Sequence, residues 1–152
     1  MENNGYLMKV IFDSNIFDDI VTGKIDINIL IQNGIEVYIT HLQVDEINEC
    51  SDTEKRAQLF NSMTELRPYK VPTESFCIGV SRIGDAKIND GSGLIQKLEA
   101  GNSNNAHDAL IGETAIKNGL TLITNDKKFK NRVIELGGMA ITTKELLIPI
   151  NI

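Results

Sequence analysis

An α/β fold built on a mainly parallel sheet with helices on both faces is the class this sequence predicts, and two observations predict it. Short apolar, β-favouring runs alternate with longer segments of helical apolar spacing, a pattern that calls for crossover connections. Two of those runs stop abruptly at acids: MKVIF ends on Asp13, and LTLIT ends just before Asn125 and Asp126. Sites in parallel sheets form at the carboxyl ends of strands, so both acids are expected on one functional edge. The chain has 152 residues, 41% hydrophobic and 24% charged, enough for a real core in one globular domain.

The elements follow in order. MKVIF, 8–12, is a short buried strand. DSN then opens a helix with Asp13 or Ser14 as its cap. IDINILIQNG, 25–34, has roughly helical spacing and a glycine stop. IEVYIT, 35–40, is rich in β-branched and aromatic residues and reads as a strand. HLQVDEINEC, 41–50, is the helix after it. In TEKRAQLFNSMTELRP, 53–68, Ala57, Leu59, Phe60, Met63 and Leu66 fall near helical spacing, and Pro68 breaks the pattern. SFCIGV, 75–80, is a short strand or an extended segment. SRIGDAKINDGSG, 81–93, is a polar, glycine-rich loop, and GLIQKLEAGN, 93–102, a short helix closed by Gly101.

NAHDALIGETAIKNG, 105–119, is the clearest helix. Asn104 or Asn105 caps it, an acid lies in its first turn, and Gly119 stops it. LTLIT, 120–124, is a strand; KKFKNRVIELGG, 127–138, a helix ending at Gly137; MAIT, 139–142, a last strand; TKELL, 143–147, a final helical turn. No repeat, low-complexity tract or linker interrupts this plan. Residues 1–152 are therefore expected to form one domain, with 1–7 a flexible N-terminal extension.

Composition excludes several classes of function. MENNGYL lacks the charged-then-apolar pattern of a secretory signal, and no apolar stretch approaches the ~20 residues of a membrane span. A cytoplasmic location and no membrane partner are expected. Cys50 and Cys77 form no CxxC pair, which argues for free thiols and against zinc. The formal net charge of -6 argues against nonspecific, backbone-driven nucleic-acid binding. It leaves room for a nucleic-acid enzyme, because a carboxylate-built metal site is itself acidic and bound cations offset that charge. Neither GxSxG nor a P-loop is present. His41 starts a helix and reads as structural. His107 adjoins Asp108 on a helix, where neighbouring side chains diverge, and reads as surface or cap-proximal.

Four acids fall where they can converge. Asp13 and Asp126 follow strands on the same edge, Glu46 lies in the helix after the second strand, and Asp108 lies in the first turn of its helix. Singly, each has a plain structural account: a helix cap, a turn, a favourable charge at a helix start or a solvated position. Together they would repel one another and raise their own pKa values. Hard divalent cations, which prefer oxygen ligands, resolve that conflict. Such an ion binds a phosphate oxygen and activates a water for in-line attack, so the set points to phosphodiester hydrolysis.

The flanking residues resemble a family. VIFDSNIF is similar to the first motif of PIN domains, an apolar strand followed by Asp-Ser/Thr-Asn. ITHLQVDEI resembles the second, a strand and turn leading to a helical glutamate. HDALIGETAIKNGLTLITNDKKF resembles the joined third and fourth motifs, an Asp in a small-residue helix, then a strand, then Thr-x-Asp. The likeness runs from Met8 to Ile141. It implies a three-layer α/β/α sandwich around a central, mainly parallel sheet. It also implies a Mg²⁺- or Mn²⁺-dependent endoribonuclease, most often the toxin of a VapC-type toxin–antitoxin pair.

By position, the resemblance makes Asp13, Glu46, Asp108 and Asp126 the catalytic, metal-binding acids. Asn15 would orient an acid by hydrogen bonding, and Thr124 would fix the strand end. It further implies RNA as substrate, a small antitoxin as partner and a homodimer. Lys128 stands where many relatives carry another acid, which leaves open one metal or two. Lys127, Lys128, Lys130 and Arg132 are candidate RNA contacts, or else a solvated helix face. The rival readings are a solitary PIN nuclease in RNA processing or phage defence, a non-catalytic protein- or RNA-binding module, and a metal-dependent phosphatase or DNA nuclease.

Overall fold

The computed structural model describes residues 8–74, 93–99 and 106–147. Its elements run β1 (Lys9–Phe12), α1 (Ile16–Val21), α2 (Ile27–Gln32), β2 (Glu36–Ile39), α3 (His41–Asn48), α4 (Thr53–Glu65) and β3 (Tyr69–Lys70). They continue with α5 (Leu94–Glu99), α6 (Ala106–Asn118), β4 (Thr121–Ile123), α7 (Lys127–Glu135), β5 (Met139–Ile141) and α8 (Thr143–Leu147). The strands form one sheet in the order β3-β2-β1-β4-β5, and every pairing between them is parallel. The sheet is thus wholly parallel among the described residues.

Strand side chains alternate between faces, and here the alternation feeds two separate cores. Val10, Phe12, Val37, Ile39 and Ile123 join one core with residues of α1, α2, α4 and α8. Ile11 and Leu122 join the other, with residues of α5, α6 and α7. A sheet covered on both faces needs continuous apolar strands, which is why residues 10–12 and 120–123 are apolar or buried throughout; Lys9, at the open start of β1, is exposed. The three layers are those of an α/β/α sandwich, as the sequence predicts.

The chain order reverses direction around β1: β2 lies on one side of it and β4 on the other. Residues leaving β1 and β4 therefore face the crevice where a doubly wound sheet places its site. Helix α6 packs tightly beside α7. A Cβ added at Gly112 would lie 3.1 Å from the Phe129 ring and 3.2 Å from Leu98, so this glycine allows the close approach. That packing places the first turn of α6, with Asp108, near the carboxyl end of β4.

Several local expectations change. The helix after β1 begins at Ile16 with Asn15 at its N-cap, and no side chain caps it. Neither Asp13 nor Ser14 takes that role, because the Asp13 carboxylate is engaged elsewhere. Ala57 is exposed, not on the buried face of α4. The sheet gains an edge strand, Tyr69–Lys70, that sequence patterning does not suggest. It is short and exposed, and it is held through pairing with β2 and a Tyr38–Tyr69 stack with ring centroids 5.2 Å apart. The expectations for 1–7, 75–92, Gly101 and the Asn104 or Asn105 cap lie outside the described residues. No described helix is long and apolar enough to cross a membrane.

Candidate active site

Asp13 leaves β1 with its amide donating to the Ile123 carbonyl at 3.0 Å, which continues the β1–β4 ladder by one bond. Its side chain is 8% exposed. The Thr124 hydroxyl donates to Asp13 Oδ2 at 2.8 Å and accepts from the Asp126 amide at 3.1 Å. One buried threonine thus ties the ends of β1 and β4 together. Burial raises the Asp13 pKa; the Thr124 hydrogen bond opposes that, and the charges of Glu46 and Asp126 add to it.

Asp126 is the N-cap of α7. Its Oδ1 accepts from the Lys128 and Phe129 amides at 3.0 and 3.2 Å, satisfying donors that a helix start leaves open. The residue is exposed, and its other oxygen makes no hydrogen bond among the described residues. The structural and functional readings of this acid are therefore compatible, since one oxygen serves each.

Glu46 sits on α3, whose start is fixed by a capping box between Thr40 and Gln43. Gln43 Nε2 also donates to the Phe12 carbonyl at 3.0 Å, which locks α3 to the end of β1. Glu46 reaches His107, whose Nδ1 lies 3.2 Å from Oε1. His107 is part-exposed in the first turn of α6, as expected, and is also a neighbour of Glu46. No sequence signal shows this, because the contact joins helices far apart in the chain.

Asp108, half-buried in the first turn of α6, is the most perturbed of the acids. Burial, then the charges of Asp13, Glu46 and Asp126, push its pKa from 3.8 up to about 6, against a smaller opposing effect of Arg132. Asp108 thus feels the charges of Asp13, Glu46 and Asp126, which all lie toward the carboxyl edge. Among the described residues, however, no three His, Cys, Asp or Glu side chains form a ready-made metal-binding group. Three of the acids have other ties: Thr124 holds Asp13, α7 takes one oxygen of Asp126, and Glu46 lies beside His107. The donor set still suits a hard cation. All four are carboxylates, two have pKa values raised by burial and then by neighbouring negative charge, and Mg²⁺ typically takes one or two carboxylates and keeps several waters.

The other nominated residues divide. Asn15 makes no side-chain hydrogen bond among the described residues, so the bond expected from it to an acid is not made. Lys130 is not a free cation: its Nζ lies 2.6 Å from Glu145 Oε1, which binds it to α8. Lys127 and Lys128 are exposed. Arg132 lies over the Phe129 ring, 5.9 Å from its centroid, on the side where Asp108 feels its charge. His41 is structural, as expected: it is buried with Nδ1 3.0 Å from Asp45 Oδ2.

Thr124 gives a direct test of this wiring. Thr124→Val keeps the shape but leaves Asp13 Oδ2 and the Asp126 amide without their partner. The expected cost is ~1–3 kcal/mol of stability, read by urea denaturation, with the Asp13 pKa rising further in an NMR titration.

No family model matches the chain, and no curated protein matches it in sequence. Solved structures do resemble it. PAE2754 from Pyrobaculum aerophilum is 14% identical, with a TM-score of 0.59, covering 97% of this chain and 98% of that one. VapBC2 from Rickettsia felis, solved bound to a DNA fragment from its promoter, is also 14% identical, with a TM-score of 0.50, covering 89% of this chain and 98% of that one. At such identities the likeness speaks for the fold, and the fold of this chain is the PIN-like, VapC-like α/β/α sandwich.

Proposed function

We propose that this chain is a Mg²⁺- or Mn²⁺-dependent endoribonuclease that hydrolyses RNA phosphodiester bonds at the edge formed by Asp13, Glu46, Asp108 and Asp126. The observation that supports it best is the placement of these acids. They come from four separate segments, and each is delivered by its own element to the neighbourhood where Asp108 feels the other three. A set of unpartnered caps has no reason to meet.

In this reading Asp13 and Asp108, the more buried pair, hold the cation, with Glu46 and the spare oxygen of Asp126 contributing. The bound ion supplies Lewis acidity at a phosphate oxygen and a water of lowered pKa. Thr124 keeps Asp13 in one orientation, and His107 restrains Glu46 from the opposite helix. Lys127, Lys128 and Arg132 attract the phosphates that the acids repel. The fold likeness to VapBC2 supports a further step, a toxin with an antitoxin partner; the homodimer follows from the motif resemblance alone.

The test is cleavage of single-stranded RNA by purified protein with Mn²⁺ or Mg²⁺. Metal-dependent products that vanish in chelator are expected. Full activity in chelator, or none with either ion, contradicts the reading. A second reading, a non-catalytic binding module, draws on Lys128 in place of an acid and on the lack of a ready-made metal-binding group among the described residues. RNA binding without cleavage or Mn²⁺ uptake would favour it.

A further inference from the structure

Glu46 lines two openings. One is the acidic mouth that it shares with Glu49, His107 and Asp108. The other is a separate cleft between the start of α1, the second half of α3 and the first half of α4. This second cleft has a volume of about 170 Å³. Pockets for drug-sized ligands run to roughly 300–1,000 Å³, so this one admits a single ring system.

Its lining is of two kinds. Ile47, Cys50 and Leu59 give an apolar wall, with Ile47 and Leu59 continuous with the core. Ser14 and Asn15 give polar edges. The Ser14 hydroxyl is buried and makes no hydrogen bond among the described residues, an uncommon state for a buried polar atom. Asn15 stands at the N-cap of α1, yet its side chain caps nothing. Among the described residues, Asp13 alone of the DSN triplet has a side-chain partner, and the other two residues line the cleft. Lys55 and Asp18 complete the cleft, 3.0 Å apart and both part-exposed, with a donor and an acceptor side by side.

An apolar slot one ring deep, edged by an unpaired hydroxyl, an amide and a charged donor–acceptor pair, matches a nucleobase. Single-stranded RNA offers bases that splay out of the stack and are read on their edges. Glu46 forms part of the wall, so the base in question is one beside the scissile phosphate. We propose that this cleft is a base-selecting subsite, in which one nucleobase flanking the cut lies against Ile47 and Leu59 and is read by Ser14 and Asn15. This rests on the ribonuclease reading and adds the source of its sequence preference.

Two measurements test it together. In the first, a randomised single-stranded RNA pool is cut with Mn²⁺ and the products are sequenced. Wild type is expected to favour one base at one position beside the cut. Ser14→Ala should flatten that preference about tenfold, and Cys50→Phe, which fills the slot, should erase it. Preferences at other positions should persist in both variants. In the second, ¹⁵N-labelled protein is titrated with the nucleoside 5′-monophosphates, and the amides of Ser14, Asn15 and Cys50 should shift for the favoured base. A wild type indifferent to the flanking base, or a preference that survives both substitutions, overturns the proposal. So does cleavage without any shift at these amides; the slot would then be free for a partner's side chain. If no RNA is cut but those amides shift, the cleft binds a base, while the nuclease reading and the subsite's place beside a cut both fall.

Discussion

Asp108→Asn is expected to lower RNA cleavage on the order of 10³-fold while making the metal-free protein more stable at neutral pH. The two effects have one cause. Asp108 is partly buried and feels three other acids, and this pushes its pKa from 3.8 to about 6. In the folded, metal-free protein it therefore binds a proton more tightly than in the unfolded chain. Stability falls as pH rises through that window, because the unfolded state releases its proton first. Asparagine carries no charge to repel and escapes the loss. After allowance for the part-exposed carboxyl, the gain is roughly 1 kcal/mol. That corresponds to ~2–4 °C in melting temperature for a chain of this size. The gain should be seen at pH 7.5 and should vanish below pH 4. A variant that loses activity with no such gain would point to misfolding or to an acid that sits alone.

Divalent ions should have the opposite effect on the wild type. Mn²⁺ or Mg²⁺ at about 100 times its dissociation constant adds ~2.7 kcal/mol to the folded state. The melting temperature should then rise by ~5–10 °C. The shift should be larger at pH 7.5 than at pH 5, because carboxylates must lose their protons to bind metal. Asp108→Asn and Asp13→Asn should each reduce it. Ca²⁺ and Mn²⁺ scans at fixed ionic strength separate site binding from general screening of a chain with net charge -6. An equal shift in wild type and both variants would place the ion elsewhere.

Much of the fold is legible in the sequence, for a physical reason. Strands β1 and β4, at the centre of the sheet, are buried on both faces apart from Lys9, and β2 and β5 bury at least part of theirs, so their burial is written as runs rich in apolar residues. Strand β3 is not: Tyr69 and Lys70 are exposed, and their place depends on β2 and on a ring stack with Tyr38. Long-range pairing of that kind leaves no periodic trace. The site acids share this split. Asp13 and Asp126 are legible because each ends an apolar strand, and strand ends define an edge. The wiring between them is less so. The Thr124 hydroxyl bridges residues far apart in sequence, His107 meets Glu46 across two helices, and Glu145 takes Lys130 out of the basic group. Asn15 shows the converse: a residue type suited to capping, it caps nothing here, and only the structure reveals the cleft beside it.

The central claim is that these four acids act together as one divalent-metal site. Anomalous diffraction from crystals grown with Mn²⁺ tests it most directly. The account predicts a single strong manganese peak, or a close pair, ligated by carboxylates of Asp13 and Asp108 and lost in the Asp108→Asn variant. Manganese bound elsewhere, or an edge that stays empty at Mn²⁺ concentrations supporting RNA cleavage, would contradict it.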